Sequence, residues 1–175
     1  NVFSEIYPYS YPLEEIKKKK PKGIILSGGP SSVLDEGSPM IDKEIYSLGI
    51  PILGLCYGLQ LIVYQNGGKV EKADKREYGK AELNLKSKSV LAENIADSSQ
   101  VWMSHGDYIK SLPPQYNVFA TTENSPYCAI QNPEKKIFGL QFHPEVVHSV
   151  EGIKIIKNFV MDICGCLGNW NTTSF

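Results

Sequence analysis

Short apolar runs alternate with amphipathic stretches through the first half of the chain. Leu13 to Lys20 is amphipathic and closes with Lys17-Lys18-Lys19-Lys20, a run that suits a solvated helix end. Gly23-Ile24-Ile25-Leu26-Ser27 reads as a strand ending in the turn Gly28-Gly29-Pro30. Asp42 to Leu48 has a helical pattern stopped by Gly49. Ile50 to Leu55 is the next strand, and Tyr57 to Gln65 the helix behind it, stopped by Asn66-Gly67-Gly68. Strands apolar at every position, separated by helices, predict a parallel sheet covered on both faces. The second half is more strand-like, with runs at Ala81–Leu85, Val101–Met103, Val118–Thr122, Cys128–Gln131 and Ile137–Phe142. Gln131-Asn132-Pro133-Glu134-Lys135 predicts a hairpin turn between the last two. A final helix is expected from Val150 to Ile163, with Ile153, Ile156, Phe159, Val160 and Ile163 on its apolar face. From Gly165 to Phe175 the periodicity is lost. The expected division is one α/β domain over residues 1–164 and a linker stub over 165–175.

Composition narrows the class without adding chemistry. The chain has 175 residues, 42% hydrophobic and 21% charged, which is ordinary for a single globular domain. A formal net charge of −1 gives no field that favours nucleic acid or a membrane surface, and neither partner is expected. Cys56, Cys128, Cys164 and Cys166 form no disulfide framework, so reduced thiols and a cytoplasmic location are expected. No leader segment stands out at the start, and no apolar stretch reaches the ~20 residues of a membrane span. Asn171-Thr172-Thr173 fits the glycosylation acceptor pattern, which has no use in such a setting.

One segment changes the picture. Gly54-Leu55-Cys56-Tyr57-Gly58-Leu59-Gln60 puts a cysteine between two glycines where a buried strand meets a helix. The layout is that of a nucleophile elbow, with cysteine in the place of serine. Glycines remove β-carbons where strand and helix nearly touch, and the helix N-terminus favours the thiolate. Such a nucleophile needs a base and a group to orient the base. Of His105, His143 and His148, only His143 has an acid placed to serve it, in Gln141-Phe142-His143-Pro144-Glu145. Pro144 biases His143 to extended backbone, which sends His143 and Glu145 to one side. His105, ahead of Gly106-Asp107, suits a turn better than a base platform. Oxyanion donors are expected from the backbone N–H of Tyr57 and of Gly29, since Pro30 has none to give. In a parallel sheet both turns emerge at the same carboxyl edge. The competing readings are an inert core cysteine and a histidine in a surface turn. Cys56, His143 and Glu145 lack paired-ligand spacing, so no metal is expected.

These segments resemble the class I glutamine amidotransferases. Leu26-Ser27-Gly28-Gly29-Pro30, the Cys56 elbow and Gln141-Phe142-His143-Pro144-Glu145-Val146 match the wider class. Arg76-Glu77-Tyr78-Gly79, Trp102-Met103-Ser104-His105-Gly106-Asp107 and Asp162-Ile163-Cys164-Gly165-Cys166 resemble its GMP synthetase branch. The resemblance covers nearly the whole chain. It implies a flavodoxin-like, open, mixed but mostly parallel sheet with helices on both faces, here lacking the usual first strand and helix. It implies a glutaminase in which Cys56 attacks L-glutamine, His143 is the base and Glu145 orients it. Gln60, Ser104, Gly106 and Asp107 match the positions that hold the amino-acid end of the substrate. The ammonia would pass to a synthetase (ATP pyrophosphatase) domain of the same polypeptide, which aminates XMP to GMP. ATP and Mg2+ belong to that domain, since this chain has no P-loop pattern and needs no cofactor of its own. Residues 69–80, charged and expected at the mouth of the site, are the expected contact with it. Glutaminases serving anthranilate or carbamoyl phosphate synthesis, a γ-glutamyl peptidase, and a catalytically silent regulatory module remain open alternatives.

Overall fold

The computed structural model describes residues 1–171, apart from the side chains of Asp74 and Lys75. The Asn171-Thr172-Thr173 match therefore lies largely outside the described residues. The chain runs α1 (Leu13–Lys19), β1 (Ile24–Leu26), β2 (Ile52–Leu55), α2 (Tyr57–Gln65), β3 (Lys69–Leu85), β4 (Ser98–Ser111), β5 (Asn117–Thr121), β6 (Ala129–Asn132), β7 (Ile137–Leu140) and α3 (Gly152–Lys157). The strands form one sheet in the order β1-β2-β7-β6-β5-β3-β4.

The expected parallel arrangement holds at one end, where β1, β2 and β7 pair in parallel. The pairs β7–β6, β6–β5, β5–β3 and β3–β4 are antiparallel. The sheet is thus mixed as expected, but antiparallel pairs outnumber parallel ones. The cause is the run of strands after α2, which are joined by short turns rather than by crossover helices. The Pro133 turn closes the β6–β7 hairpin as its sequence predicts.

Alternation along β2 and β7 sorts the core into two layers. Ile52 and Ile137 pack under α2 with Ile62. Leu53, Leu55, Phe138 and Leu140 face the other way, against Ile155 and Phe159 of the C-terminal helix. Helices therefore cover both faces of the parallel end. All four residues of β2 are buried, which explains its unbroken apolar run.

Three expectations change. Asp42–Leu48 forms only a 3₁₀ turn, Lys43–Ser47, entered at Asp42, whose carboxylate accepts from the Glu44 N–H at 2.9 Å. The last helix continues from α3 into a π-helical turn over Asn158–Ile163. Its buried face is Ile155, Asn158 and Phe159, while Ile153 is 80% exposed. Residues 69–80 belong to β3, which with β4 makes a long two-stranded ribbon. Gly165 to Asn171 has no helix or strand, yet it folds back on the chain start. Trp170 N–H donates to the Asn1 carbonyl at 3.1 Å, and the Trp170 and Phe3 ring centroids lie 5.8 Å apart.

Candidate active site

Cys56 stands one residue beyond β2, with its N–H donating to the Leu140 carbonyl of β7 at 2.7 Å. The ladder thus holds the elbow up to the nucleophile position. Cys56 itself has φ 50° and ψ −103°, a conformation disfavoured for any residue with a β-carbon. The strain is sustained by what surrounds it. A β-carbon on Gly54 would lie 2.6 Å from Gly58, and one on Gly58 would collide with the Leu26 carbonyl. The helix therefore packs backbone to backbone against β1 and β2, which only glycine at both positions permits.

His143 lies beyond the end of β7, where the chain leaves β6 and crosses to β4. Gln141 N–H donates to the Cys128 carbonyl at 2.8 Å, and His143 N–H to the Trp102 carbonyl at 3.0 Å. Its Nδ1 is 2.8 Å from Glu145 Oε1, the same-side pairing expected from the extended backbone at Pro144. The imidazole is pushed up to about 9 by its interaction with the Cys56 side chain, opposed by burial and supported by Glu145. An imidazole raised in this way is a competent acceptor for a thiol proton. The structure thus brings Cys56, His143 and Glu145 together in that order.

The Gly28 turn closes the third side. A β-carbon on Gly28 would sit 3.3 Å from His143 Cε1 and 3.6 Å from Cys56 Cβ, whereas one on Gly29 would meet nothing within 4 Å. Gly29 therefore borders open space. Tyr57 is the first residue of α2, where a backbone N–H has no acceptor within the helix. Its hydroxyl donates to the Pro39 carbonyl at 2.5 Å. Both expected oxyanion donors flank the carboxyl edge of β1 and β2.

Of the residues expected at the substrate's amino-acid end, Ser104, Gly106 and Asp107 lie on β4 and Gln60 on α2. The Cys56 thiol donates to the Ser104 carbonyl at 3.3 Å. Gln60 Nε2 donates to the Asp107 carbonyl at 3.2 Å and to Gln141 Oε1 at 3.4 Å. Asp107 is buried, and its Oδ2 has no hydrogen-bond partner. A buried carboxylate oxygen without a partner is costly unless a ligand's donor completes it. Gly106 lies beneath Arg76, with the Arg76 Cγ and Nε 3.5 Å from where its β-carbon would be. The Ser104 carbonyl thus meets the elbow and the Asp107 carbonyl meets Gln60 of α2, while Gly106 lies between them under Arg76.

His105 departs from expectation. It is no turn residue but a buried member of β4, paired with Glu77 at 3.0 Å. The reason is that Gly106-Asp107 continues the strand past a break in its partner, β3, rather than reversing the chain. Two further residues escaped the sequence reading. Gln141, 1% exposed, approaches the Cys56 sulfur with its Nε2 at 3.7 Å. Ser149 Oγ donates to the His143 carbonyl at 2.6 Å and accepts from the Trp102 N–H at 3.1 Å, clamping the base loop to β4. Gln141 lies in the motif that carries His143; nothing around Ser149 in sequence marks it. The other buried thiol, Cys128, is pushed up by burial and by the nearby Glu77 carboxylate. Among the described residues no group of three His, Cys, Asp or Glu is arranged to hold a metal ion. No described helix is long and apolar enough to cross a membrane.

The family model for "Glutamine amidotransferase class-I" matches residues 1–163. The chain belongs to the class I glutamine amidotransferases. Among relatives of this amidotransferase, "GMP synthase [glutamine-hydrolyzing]" of Brachyspira hyodysenteriae is 55% identical over 175 residues, 100% of this chain and 34% of that protein. The protein of the same name from Aquifex aeolicus is 53% identical over 174 residues, again 34% of its length. The amidotransferase chain thus spans about a third of the length of the curated relatives it matches. Among solved structures, a proposed GMP synthase subunit from Thermoplasma acidophilum superposes with a TM-score of 0.76 at 29% identity, covering 91% of this chain and 80% of that one. A glutamine amidotransferase from Thermotoga maritima gives 0.62 at 25% identity, covering 88% and 66%.

Proposed function

We propose that this chain hydrolyses glutamine to glutamate and ammonia through a thioester on Cys56, and that the ammonia serves the amination of XMP to GMP. The observation that carries the reading is the contact series from the Cys56 thiol through His143 to Glu145, at an elbow whose backbone is strained to present the sulfur. His143 takes the thiol proton, and the sulfur attacks the side-chain amide carbon. The oxyanion is met by the backbone N–H groups of Gly29 and Tyr57, each worth ~10²–10³ in rate at comparable sites. His143 then protonates the departing nitrogen, ammonia leaves, and a glutamyl thioester remains on Cys56. Water activated by His143 hydrolyses it. Glu145 keeps the imidazole in the working tautomer and stabilises its charged form. Asp107, with Gln60, Ser104 and Gly106, receives the zwitterionic end of glutamine, where the unpartnered Oδ2 suits an ammonium.

The domain that would consume the ammonia is a synthetase using ATP and Mg2+, and residues 69–80 of β3 are its proposed contact. The names and lengths of the relatives support this, as they match the chain over about a third of their own length. No cofactor is needed for the glutaminase half, and a cytoplasmic setting fits four free thiols. The test is glutamate release from glutamine, and GMP formation from XMP with ATP, by this chain with its synthetase partner. Cys56→Ala is expected to lower both by at least ~10³ while leaving GMP formation from free ammonia intact. Glutamine-dependent GMP formation that survives Cys56→Ala rejects the proposal.

A further inference from the structure

We infer that the buried pair Glu77–His105 is a positioning device for the amino-acid end of the substrate site, a reading that rests on the glutaminase function proposed above. The ladder between β3 and β4 breaks at this point: Lys72 pairs with Asp107, and Glu77 with His105. Residues 73–76 of β3 therefore stand opposite Gly106 alone. Backbone pairing therefore lapses at Gly106, between the paired His105 and Asp107.

The His105 ring spans the gap instead. Nδ1 is 2.8 Å from the Asp107 carbonyl, and Nε2 is 3.0 Å from Glu77 Oε2. The Asp107 carbonyl can only accept, so Nδ1 carries the N–H of that bond, while Nε2 meets the Glu77 carboxyl. The side chains are 6% and 18% exposed, so water does not substitute for either bond. The same Asp107 carbonyl accepts from Gln60 Nε2 at 3.2 Å, and Gln60 lies one helical turn beyond Cys56. The strut runs from Glu77 through His105 to Asp107 and Gln60, and so fixes the recognition strand against the nucleophile helix. Neither Glu77 nor His105 touches the sulfur or the base. Their action is on substrate placement, which binding interactions at the amino-acid end control.

The test uses the chain with its synthetase partner and two variants. Glu77→Gln keeps an acceptor for His105 and is expected to leave the KM for glutamine within ~3-fold. The double variant Glu77→Leu/His105→Phe replaces the pair by apolar side chains, so no buried group is orphaned and the chain still folds. Its KM for glutamine is expected to rise at least ~10-fold with kcat within ~3-fold. Labelling of Cys56 by a diazoketone analogue of glutamine should slow in parallel, while iodoacetamide, which needs only the thiol, reacts within ~2-fold of wild type. An unchanged KM in the double variant overturns the inference. Equal losses with both reagents overturn it too, since they report a disturbed thiol. A wild-type chain that neither hydrolyses glutamine nor takes the analogue overturns the functional reading itself.

Discussion

Gly58 lies directly beneath the Leu26 carbonyl, with no room for a β-carbon between them. This one approach seats α2 on β1 and so aims the first turn of the helix at the site. Gly58→Ala must push helix and strand apart and is expected to destabilise the chain by ~3 kcal/mol or more, read as a lower urea midpoint. A midpoint unchanged from wild type would show that the helix can move without cost.

The left-handed backbone at Cys56 stores strain that a β-carbon makes worse. Cys56→Ala keeps the β-carbon and Cys56→Gly removes it. Both are expected to be inactive with glutamine, but the glycine variant should be the more stable by ~1 kcal/mol. Thermal unfolding of the two proteins side by side measures the difference. A less stable glycine variant would remove the claim of strain.

His143 is held up at about 9 in the folded chain, against 6.5 for a free imidazole. Between those values the folded state binds more protons than the unfolded one, so stability falls as pH rises. The contribution is complete below about 6.5 and is lost through about 9. His143→Gln removes it. The Tm gap between wild type and His143→Gln should be widest below pH 6.5 and close as pH passes about 9. A gap that widens with pH would mean that the imidazole is held neutral.

Ser149 joins the His143 carbonyl to the Trp102 N–H. Ser149→Ala leaves both groups without this partner in a buried setting, a loss of ~1–3 kcal/mol. The expected outcome is a lower Tm and a lower kcat for glutaminase, because the base loop is freed while the amino-acid end is not. A change confined to KM would place Ser149 in a different role.

What the sequence made legible was local. The elbow is a strand, a cysteine and a helix in immediate succession, and the period-two spacing of His143 and Glu145 places both on one side. Both features survive in the structure because Pro144 and the β2–β7 ladder leave little freedom. Contacts between distant segments were not legible. Gln141 meets a sulfur 85 residues away, and His105 meets Glu77 through a β3–β4 register that runs unbroken from Asn84–Ser98 and slips only beyond Glu77. The ribbon itself was hidden by polar residues on both of its faces through 69–80, which erase the alternation that reveals strands. The last helix misled for a related reason. Its apolar residues outnumber the positions that face the sheet, so Ile153 could be exposed while Ile155 is buried.

The central claim is that one of four free thiols is poised for a glutamine side chain. Intact and peptide mass spectrometry after a diazoketone analogue of glutamine, in the presence of the synthetase partner, tests it most directly. The predicted result is a single adduct on Cys56, blocked by excess glutamine, with Cys128, Cys164 and Cys166 unmodified. Adducts spread over all four cysteines, or none on Cys56, would contradict it.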